Sequence, residues 1–479
     1  MFQHNFIGRQ EELSKLELLL RKRTSSLVVL KGRRRIGKSR LIAEFGKNRS
    51  FYIFTGLAPE RGITAQTQRQ EFARQLGEQF QLPGLKGEDW GDLFSALWSQ
   101  IKTGRIILSF DEISWMGMGD PTFLGKLKNA WDNQFSTNPQ LVLILCGSIS
   151  AWIEHEILGS TGFYGRPSLV LTLEELPLNQ CNQFWQQAGG HISAYEKFKF
   201  LAVTGGVPRY LEELIPSLSA EDNLRQLCFE KEGLLFNEYR QIFSRSFLKK
   251  SENYRQIVQS ILNGNKTYQQ ICQSTGLQSS GYLSEYLEEL ILAGYIQRDF
   301  TWHIATGEQS SLSIYRIRDN YLRFYLRYIE SNTSQIIAGS FVGRSMTSLS
   351  GWDSIMGLQF ENLVLNNRAL VKQRLNIKPE DVIFDNPFFQ KEKKNPGVQV
   401  DYMIQLRFGT LFVCEIKFSR RKIGMSIIAE MQHRLEHLRL PKRISYRPVL
   451  IHVNGVTDEL RDSRYFAEII DFGDFLKSV

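Results

Sequence analysis

At 479 residues the chain is longer than one hydrophobic core serves, and ordinary domain sizes predict about three units. Hydrophobic residues at 42% and charged residues at 23% are normal for a globular protein and exclude extended disorder. The formal charge of +9 is concentrated: residues 391–447 carry 13 Lys and Arg against 5 Asp and Glu, which suits a polyanionic partner or a solvated basic face.

The N-terminus, Met-Phe-Gln-His-Asn, has no basic segment followed by an apolar run, and the longest apolar runs, such as residues 141–146, are strand-length. The expectation is a cytoplasmic protein with no membrane partner. The five cysteines stand apart without a C-x-x-C pair, which predicts core thiols rather than a disulfide framework or a zinc knuckle.

In chain order, residues 6–13 (Phe-Ile-Gly-Arg-Gln-Glu-Glu-Leu) lead into an amphipathic helix with Leu13, Leu16, Leu19 and Leu20 at helical spacing. Residues 27–30 then read as a buried strand and residues 41–45 as a helix. Between them Gly32-Arg33-Arg34-Arg35-Ile36-Gly37-Lys38-Ser39 matches G-x-x-x-x-G-K-[ST] at every fixed position. Glycines 32 and 37 let main-chain N–H groups converge on phosphate oxygens at the positive end of the helix that Arg40 helps to open. Lys38 is placed to reach the β- and γ-phosphates and Ser39 to ligate Mg²⁺. Gly32, Arg35, Ile36, Gly37, Lys38, Ser39 and Arg40 are therefore the predicted ATP-binding residues.

Residues 51–54 read as a second strand and residues 65–80 as a helix. Residues 105–112 are an apolar run closed by Asp111 and Glu112, a Walker B pattern. Asp111 is the second predicted metal ligand, and Glu112 the residue that orients and deprotonates the water attacking the γ-phosphate. Residues 141–148 form a further buried strand whose polar end is expected beside the Walker B carboxylates in a parallel sheet; it ends in Ser148, which is placed as a γ-phosphate sensor, as an N-cap for the next helix, or as both. Tyr164-Gly165-Arg166 precedes a strand at 168–173, and Gly205-Gly206-Val207-Pro208-Arg209-Tyr210 makes a turn that opens a helix.

Together, GRRRIGKS, FDE, CGS, YGR and GGVPRY, with the F-I-G-R-Q-E-E-L lead-in, resemble the archaeal-type ATPases of the STAND class, related to AAA proteins, over residues 1–245. That resemblance implies that Gly8 and Arg9 lie against the adenine, that Arg166 contacts the γ-phosphate and that Pro208 packs near the base. It also implies nucleotide-dependent self-association.

Residues 250–317 carry a winged helix-turn-helix pattern, with helical faces around Ile257 and Ile271, a second helix at 279–292 and a wing from 295–298 and 311–317. The second helix bears Glu285, Glu288 and Glu289 and no Lys or Arg, a face that repels phosphate. A structural or regulatory winged helix is expected in preference to a DNA reader. The polar stretch 331–351 reads as a linker.

In the C-terminal part, residues 397–406 alternate like a strand, Gly409-Thr410 makes a turn and residues 411–418 form a second strand. Period two puts Glu415 and Lys417 on one face, and a hairpin brings Asp401 beside them. Two carboxylates and a lysine form a cluster able to bind Mg²⁺ or Mn²⁺ through oxygen, with Asp401 and Glu415 as ligands, and to activate water against a phosphodiester. A cross-strand salt-bridge arrangement is the plainer reading of the same residues. The pattern resembles the PD-(D/E)-x-K nucleases, although Asp401 lacks the preceding proline. The resemblance implies a further acidic residue, Glu361, on an upstream helix and a glutamine, Gln432, on the helix after the strands. His433 and His437, at i and i+4, read as a solvated helix face rather than a metal pair.

The expected architecture is α/β and multidomain: a parallel-sheet P-loop ATPase core at 1–155, a helical lid at 156–245, a winged helix at 246–330, a linker at 331–350 and a restriction-endonuclease-like α/β domain at 351–479. The chain resembles archaeal-type ATPases fused to such a nuclease-like domain. The expected function is ATP binding and hydrolysis coupled to metal-dependent cleavage of nucleic acid, DNA foremost, in a setting such as defence or mobile-element biology. The alternative is an ATP-dependent switch or scaffold that binds nucleic acid or protein without cutting.

Overall fold

Five runs of the N-terminal part become strands of one sheet: the three central ones are apolar and buried on both faces, and the two edge strands are partly exposed. β1 (Ser26–Lys31), β2 (Ser50–Thr55), β3 (Ile106–Asp111), β4 (Leu141–Gly147) and β5 (Pro167–Thr172) form a sheet in the order β2-β3-β4-β1-β5, every neighbouring pair parallel. Period two splits their side chains between two cores. Leu27, Val29, Leu108, Phe110, Leu143 and Leu145 face an aromatic core with Phe72, Trp90, Phe94 and Phe123. Val28, Leu30, Ile107, Val142 and Ile144 face Leu16, Leu41, Ile42 and Phe45. The aromatic side is held by paired rings, such as Phe54 on Phe72 with centroids 4.5 Å apart.

The computed structural model describes residues 6–477 apart from 149, 187–190, 247–250, 278–280, 342 and 391–396. Its contacts group the chain into two units: residues 1–176 with 207–209 and 242–248, and residues 177–206 with 210–241 and 249–479. The first holds the parallel sheet. The stretch 156–245, expected as one lid, is shared between them.

In the second unit, β6 (Ile296–His303) and β7 (Glu308–Ile317) pair as a hairpin. β8 (Val382–Gln390), β9 (Val398–Leu406), β10 (Thr410–Phe418), β11 (Ser445–Val453) and β12 (Glu468–Asp471) form a sheet in the order β12-β11-β10-β9-β8. β8, β9 and β10 are antiparallel neighbours, while β10, β11 and β12 run parallel. Helix Trp352–Asn366 precedes β8, and helix Ser426–Glu436 connects β10 to β11, as a parallel pair requires of its crossover.

The helices Ser251–Ser260, Tyr268–Thr275 and Gly281–Leu292 precede the β6–β7 hairpin in the winged-helix order. Of the second helix expected over 279–292, Ser279 and Ser280 lie outside the described residues. The hairpin is not a free wing. Trp302 stacks on Phe384 of β8 and donates its indole N–H to Gln405 of β9, and Thr301 donates its hydroxyl to the carbonyl of Phe389. Near the end of β7, Arg316 pairs with Asp299 of β6 at 2.6 Å and donates to Asn362, while Asn320 and Gln359 exchange hydrogen bonds with one another's carbonyls. All of these groups are buried, so the hairpin and helix 352–366 are tied by a buried polar network.

The stretch 331–351 departs from the linker expectation. It holds helix Thr333–Ile337, and Ile336, Phe341 and Met346 are buried. Phe341 stacks on Phe229 at 4.2 Å, and the Met346 N–H donates to Glu221. Three apolar side chains in a polar segment suffice to pin it.

Among the described residues all five cysteines are free thiols, and no helix is long and apolar enough to cross a membrane.

Candidate functional site

The P-loop follows β1 and turns into helix Lys38–Gly46. Gly37 at the helix start has φ 94°, and Arg35 in the loop has φ 70°. A Cβ on Gly32 would stand 2.7 Å from the Leu173 carbonyl oxygen, so only glycine lets the two backbones approach. Lys38 is buried and donates to the carbonyls of Gly32 (2.8 Å) and Arg33 (3.0 Å), which curls the loop around its ammonium group. Ser39 donates its hydroxyl to Asp111 Oδ2 at 2.7 Å. The two oxygen donors expected to share a metal therefore meet, although they lie 72 residues apart.

β4 lies between β1 and β3, which sets Ser148 beside the end of the Walker B strand. Both its N–H (3.1 Å) and its hydroxyl (2.8 Å) donate to Glu112 Oε2. Glu112 itself sits in the left-handed region at φ 52°, a conformation a non-glycine residue holds only when its surroundings enforce it. Burial raises its pKa above the usual carboxylate value, opposed by the charge of Lys38 and the Ser148 hydrogen bonds. Ser148 is thus a partner that orients Glu112, at the strand end expected beside the Walker B carboxylates.

Arg9 is buried and donates to the carbonyls of Ile36 (3.0 Å) and Glu174 (2.6 Å), fastening the segment that begins at Gly8 to the loop. Pro208 borders the loop as well: its Cγ is 3.7 Å from where a Cβ on Gly37 would be. Arg40 lies on the first turn of the helix.

Arg166 requires a correction. It stands before β5, whose first residue pairs beside Leu27 at the start of β1, whereas the P-loop leaves the other end of that strand. The separation is about 15 Å at the rise of a strand. Its guanidinium instead grips Asp132 in a bidentate pair at 2.7 and 2.8 Å, holding that carboxyl down at about 2. It cannot touch a γ-phosphate bound at its own P-loop.

In the second unit the β9–β10 ladder runs from Gln405–Leu411 to Tyr402–Cys414. Just beyond it, Asp401 Oδ2 accepts the N–H of Ile416 at 3.0 Å, so a side chain takes over where main-chain pairing stops. This brings Asp401 against Glu415. Glu415 is 1% exposed, and Lys417 contacts it at 3.0 Å while also reaching Glu430 of helix 426–436 at 2.9 Å. Burial pushes Glu415 up to about 7, with the charge of Asp401 next in size and Arg434 and Lys417 opposing both. Glu361 on helix 352–366 is raised to about 8 by burial and by Asp401, against Arg323 and Arg316. The three acidic residues share one field.

Gln432 is not among them. Ile427, Met431 and Leu435 form the buried stripe of helix 426–436, and Gln432 falls on the exposed flank. The opposite flank carries Glu430 and Arg434. Arg434 reaches both carboxylates, with Nη1 3.3 Å from Asp401 Oδ1 and 2.6 Å from Glu415 Oε2, and Nη2 donating to Glu415 Oε1 at 3.2 Å. The apolar spacing 427, 431 and 435, read for its flanks, is the signal that could have found Arg434. No group of three His, Cys, Asp or Glu able to hold a metal ion occurs among the described residues. Two carboxylates remain a sufficient protein share for Mg²⁺, which keeps several waters.

Residues 6–214 match the family model described as "ATPase domain predominantly from Archaea". An uncharacterized protein of Methanocaldococcus jannaschii is 26% identical over 336 residues, which is 70% of this chain and 71% of that protein. Among solved structures, the Walker-type ATPase PABY2304 of Pyrococcus abyssi shares the fold with a TM-score of 0.52 at 20% identity, covering 68% of this chain and 97% of that one. The ORC2 protein of Aeropyrum pernix, solved as ADPNP–ADP complexes, matches with a TM-score of 0.42 at 14% identity over 70% of this chain and 97% of its own. Residues 6–214 therefore form an archaeal-type P-loop ATPase domain, and the C-terminal part is built on a separate mixed sheet.

Proposed function

We propose that this chain hydrolyses ATP at its archaeal-type ATPase domain, residues 6–214, to control a metal-dependent nuclease in its C-terminal part. The observation that carries the nuclease reading is the meeting of Asp401, Glu415 and Lys417 where the β9–β10 ladder ends, with Glu361 arriving from helix 352–366. A helix carrying Glu361 before the strands and a helix after β10 support it, because the PD-(D/E)-x-K resemblance implies both.

At the ATP site, Ser39 and Asp111 would hold Mg²⁺, Lys38 would bind the terminal phosphates, and Glu112, oriented by Ser148, would take the proton of the attacking water. At the C-terminal site, Asp401 and Glu415 would hold Mg²⁺ or Mn²⁺, which supplies charge neutralisation at the phosphodiester and a more acidic water. Lys417, anchored by Glu430, would orient the water and offset charge on the phosphate. The basic segment Arg420, Arg421 and Lys422 follows β10 and suits the nucleic acid backbone. Nucleotide-dependent self-association belongs to the same reading.

A second reading is favoured by one contact: Arg434 neutralises Asp401 and Glu415 without a metal, as a non-cleaving scaffold would have it. Plasmid nicking in Mg²⁺ or Mn²⁺ separates the two. The nuclease reading expects cleavage by the wild type, its loss in Lys417→Ala, and an altered rate in Lys38→Ala. Intact plasmid under every metal and nucleotide condition would establish the scaffold.

A further inference from the structure

Arg434 is the group that neither nucleotide chemistry nor the carboxylate pattern absorbs. Glu415 is buried and its Oε2 receives no aligned hydrogen bond, although the Arg434 guanidinium lies 2.6 Å away. A buried carboxylate beside a second one needs positive charge, and Arg434 supplies it to both at once. An arginine keeps its proton at every ordinary pH, so it leaves such a pair only when another cation takes its place or another anion attracts it.

The structure provides somewhere for it to go. A groove of about 550 Å³ lies between helix 426–436 and the start of β9, bordered by Val398, Gln399, Glu430, His433, Arg434 and His437. The Arg434 side chain is 24% exposed and lines this groove while its tip reaches the carboxylates. The two histidine rings stand 4.5 Å apart on the same wall, and His437 Nδ1 bonds the carbonyl of His433, leaving Nε2 as the ring edge that can meet a ligand. A planar guanidinium with nearby imidazoles matches the phosphodiester of a nucleic acid strand, which it can bind bidentately.

Resting on the nuclease reading, we propose that Arg434 is the resident counter-ion of the carboxylate site. A divalent cation and Arg434 exclude one another there, and a strand in the groove draws the guanidinium onto its phosphate. Metal and nucleic acid then bind with positive coupling, because each removes Arg434 from the other's way.

The test is a Mn²⁺ titration by electron paramagnetic resonance on the full chain, in an Asp111→Asn background that silences the ATP site. It is run with and without a phosphorothioate single-stranded oligonucleotide. The expected result is at least tenfold tighter Mn²⁺ binding in Arg434→Ala, and an oligonucleotide that tightens Mn²⁺ binding only where Arg434 is present. Arg434→Gln carries the same expectation should the alanine variant not fold. Equal or weaker Mn²⁺ binding in these variants would overturn the exclusion while leaving the nuclease site standing. Mn²⁺ binding that is absent, or unaffected by Asp401→Asn, would overturn the nuclease reading and this inference with it.

Discussion

The two sites of this chain neutralise their acidic groups in opposite ways. At the P-loop, Asp111 accepts from Ser39 and Glu112 accepts twice from Ser148, so neutral donors orient the carboxylates and Lys38 stays within its own loop. At the C-terminal site, Asp401 and Glu415 are bridged by Arg434, and Lys417 is shared between Glu415 and Glu430. The first arrangement leaves its carboxylates ready for a cation. The second already contains one, which makes it the better candidate for a site that is switched.

The largest expected effects fall on chemistry and differ between the sites. Glu112→Gln should still bind ATP yet hydrolyse it about 10²–10⁴-fold more slowly, as loss of a general base implies; equilibrium ATP binding beside a phosphate-release assay checks both halves. Lys417→Ala should abolish nicking while leaving ATP hydrolysis within about twofold of wild type, since removing a charge-stabilising donor costs about 10²–10³ only at its own site. A Lys417→Ala protein that lost ATP hydrolysis would break the separation of the two sites.

Next in size is stability. Asp299→Ala would strand the buried Arg316, at a cost of about 3–5 kcal/mol, visible as a lowered melting temperature. The smallest effect on stability is expected at Arg166→Ala, because its pair with Asp132 is open to water. Asp132 has its pKa held at about 2, below the unfolded carboxylate value of about 4, so the pair stabilises above pH 4 and that contribution is lost as pH falls towards 2. Denaturant melts from pH 5 to pH 2 should converge for wild type and variant. ATP hydrolysis by Arg166→Ala should stay within about threefold of wild type.

The ATPase half was legible because its chemistry sits on contiguous motifs whose backbone geometry follows from glycines and strand ends. Gly32 to Ser39 and Asp111-Glu112 needed only the parallel sheet to meet. The expectation of a parallel sheet already set the end of β4 beside the Walker B carboxylates; what it did not state is that both the N–H and the hydroxyl of Ser148 donate to Glu112. Arg166 was misplaced because no local pattern states which end of β5 meets the P-loop: residues 164–166 precede β5, at the end of the strands away from it. In the C-terminal half, period-two alternation and one hairpin were enough to join Asp401 to Glu415 and Lys417. Gln432 and Arg434 depend on the rotation of helix 426–436, which a sequence states only through the apolar stripe Ile427, Met431 and Leu435. The segment 331–351 reads as a linker until Phe229 is seen to give Phe341 a partner.

The most direct test of the account is the rate of Mn²⁺-dependent plasmid nicking with and without ATP, measured for wild type, Lys38→Ala and Asp401→Asn. The account predicts that ATP changes the rate for wild type, leaves Lys38→Ala unchanged, and finds no cleavage by Asp401→Asn. Equal wild-type rates with and without ATP, or cleavage that survives Asp401→Asn, would contradict it.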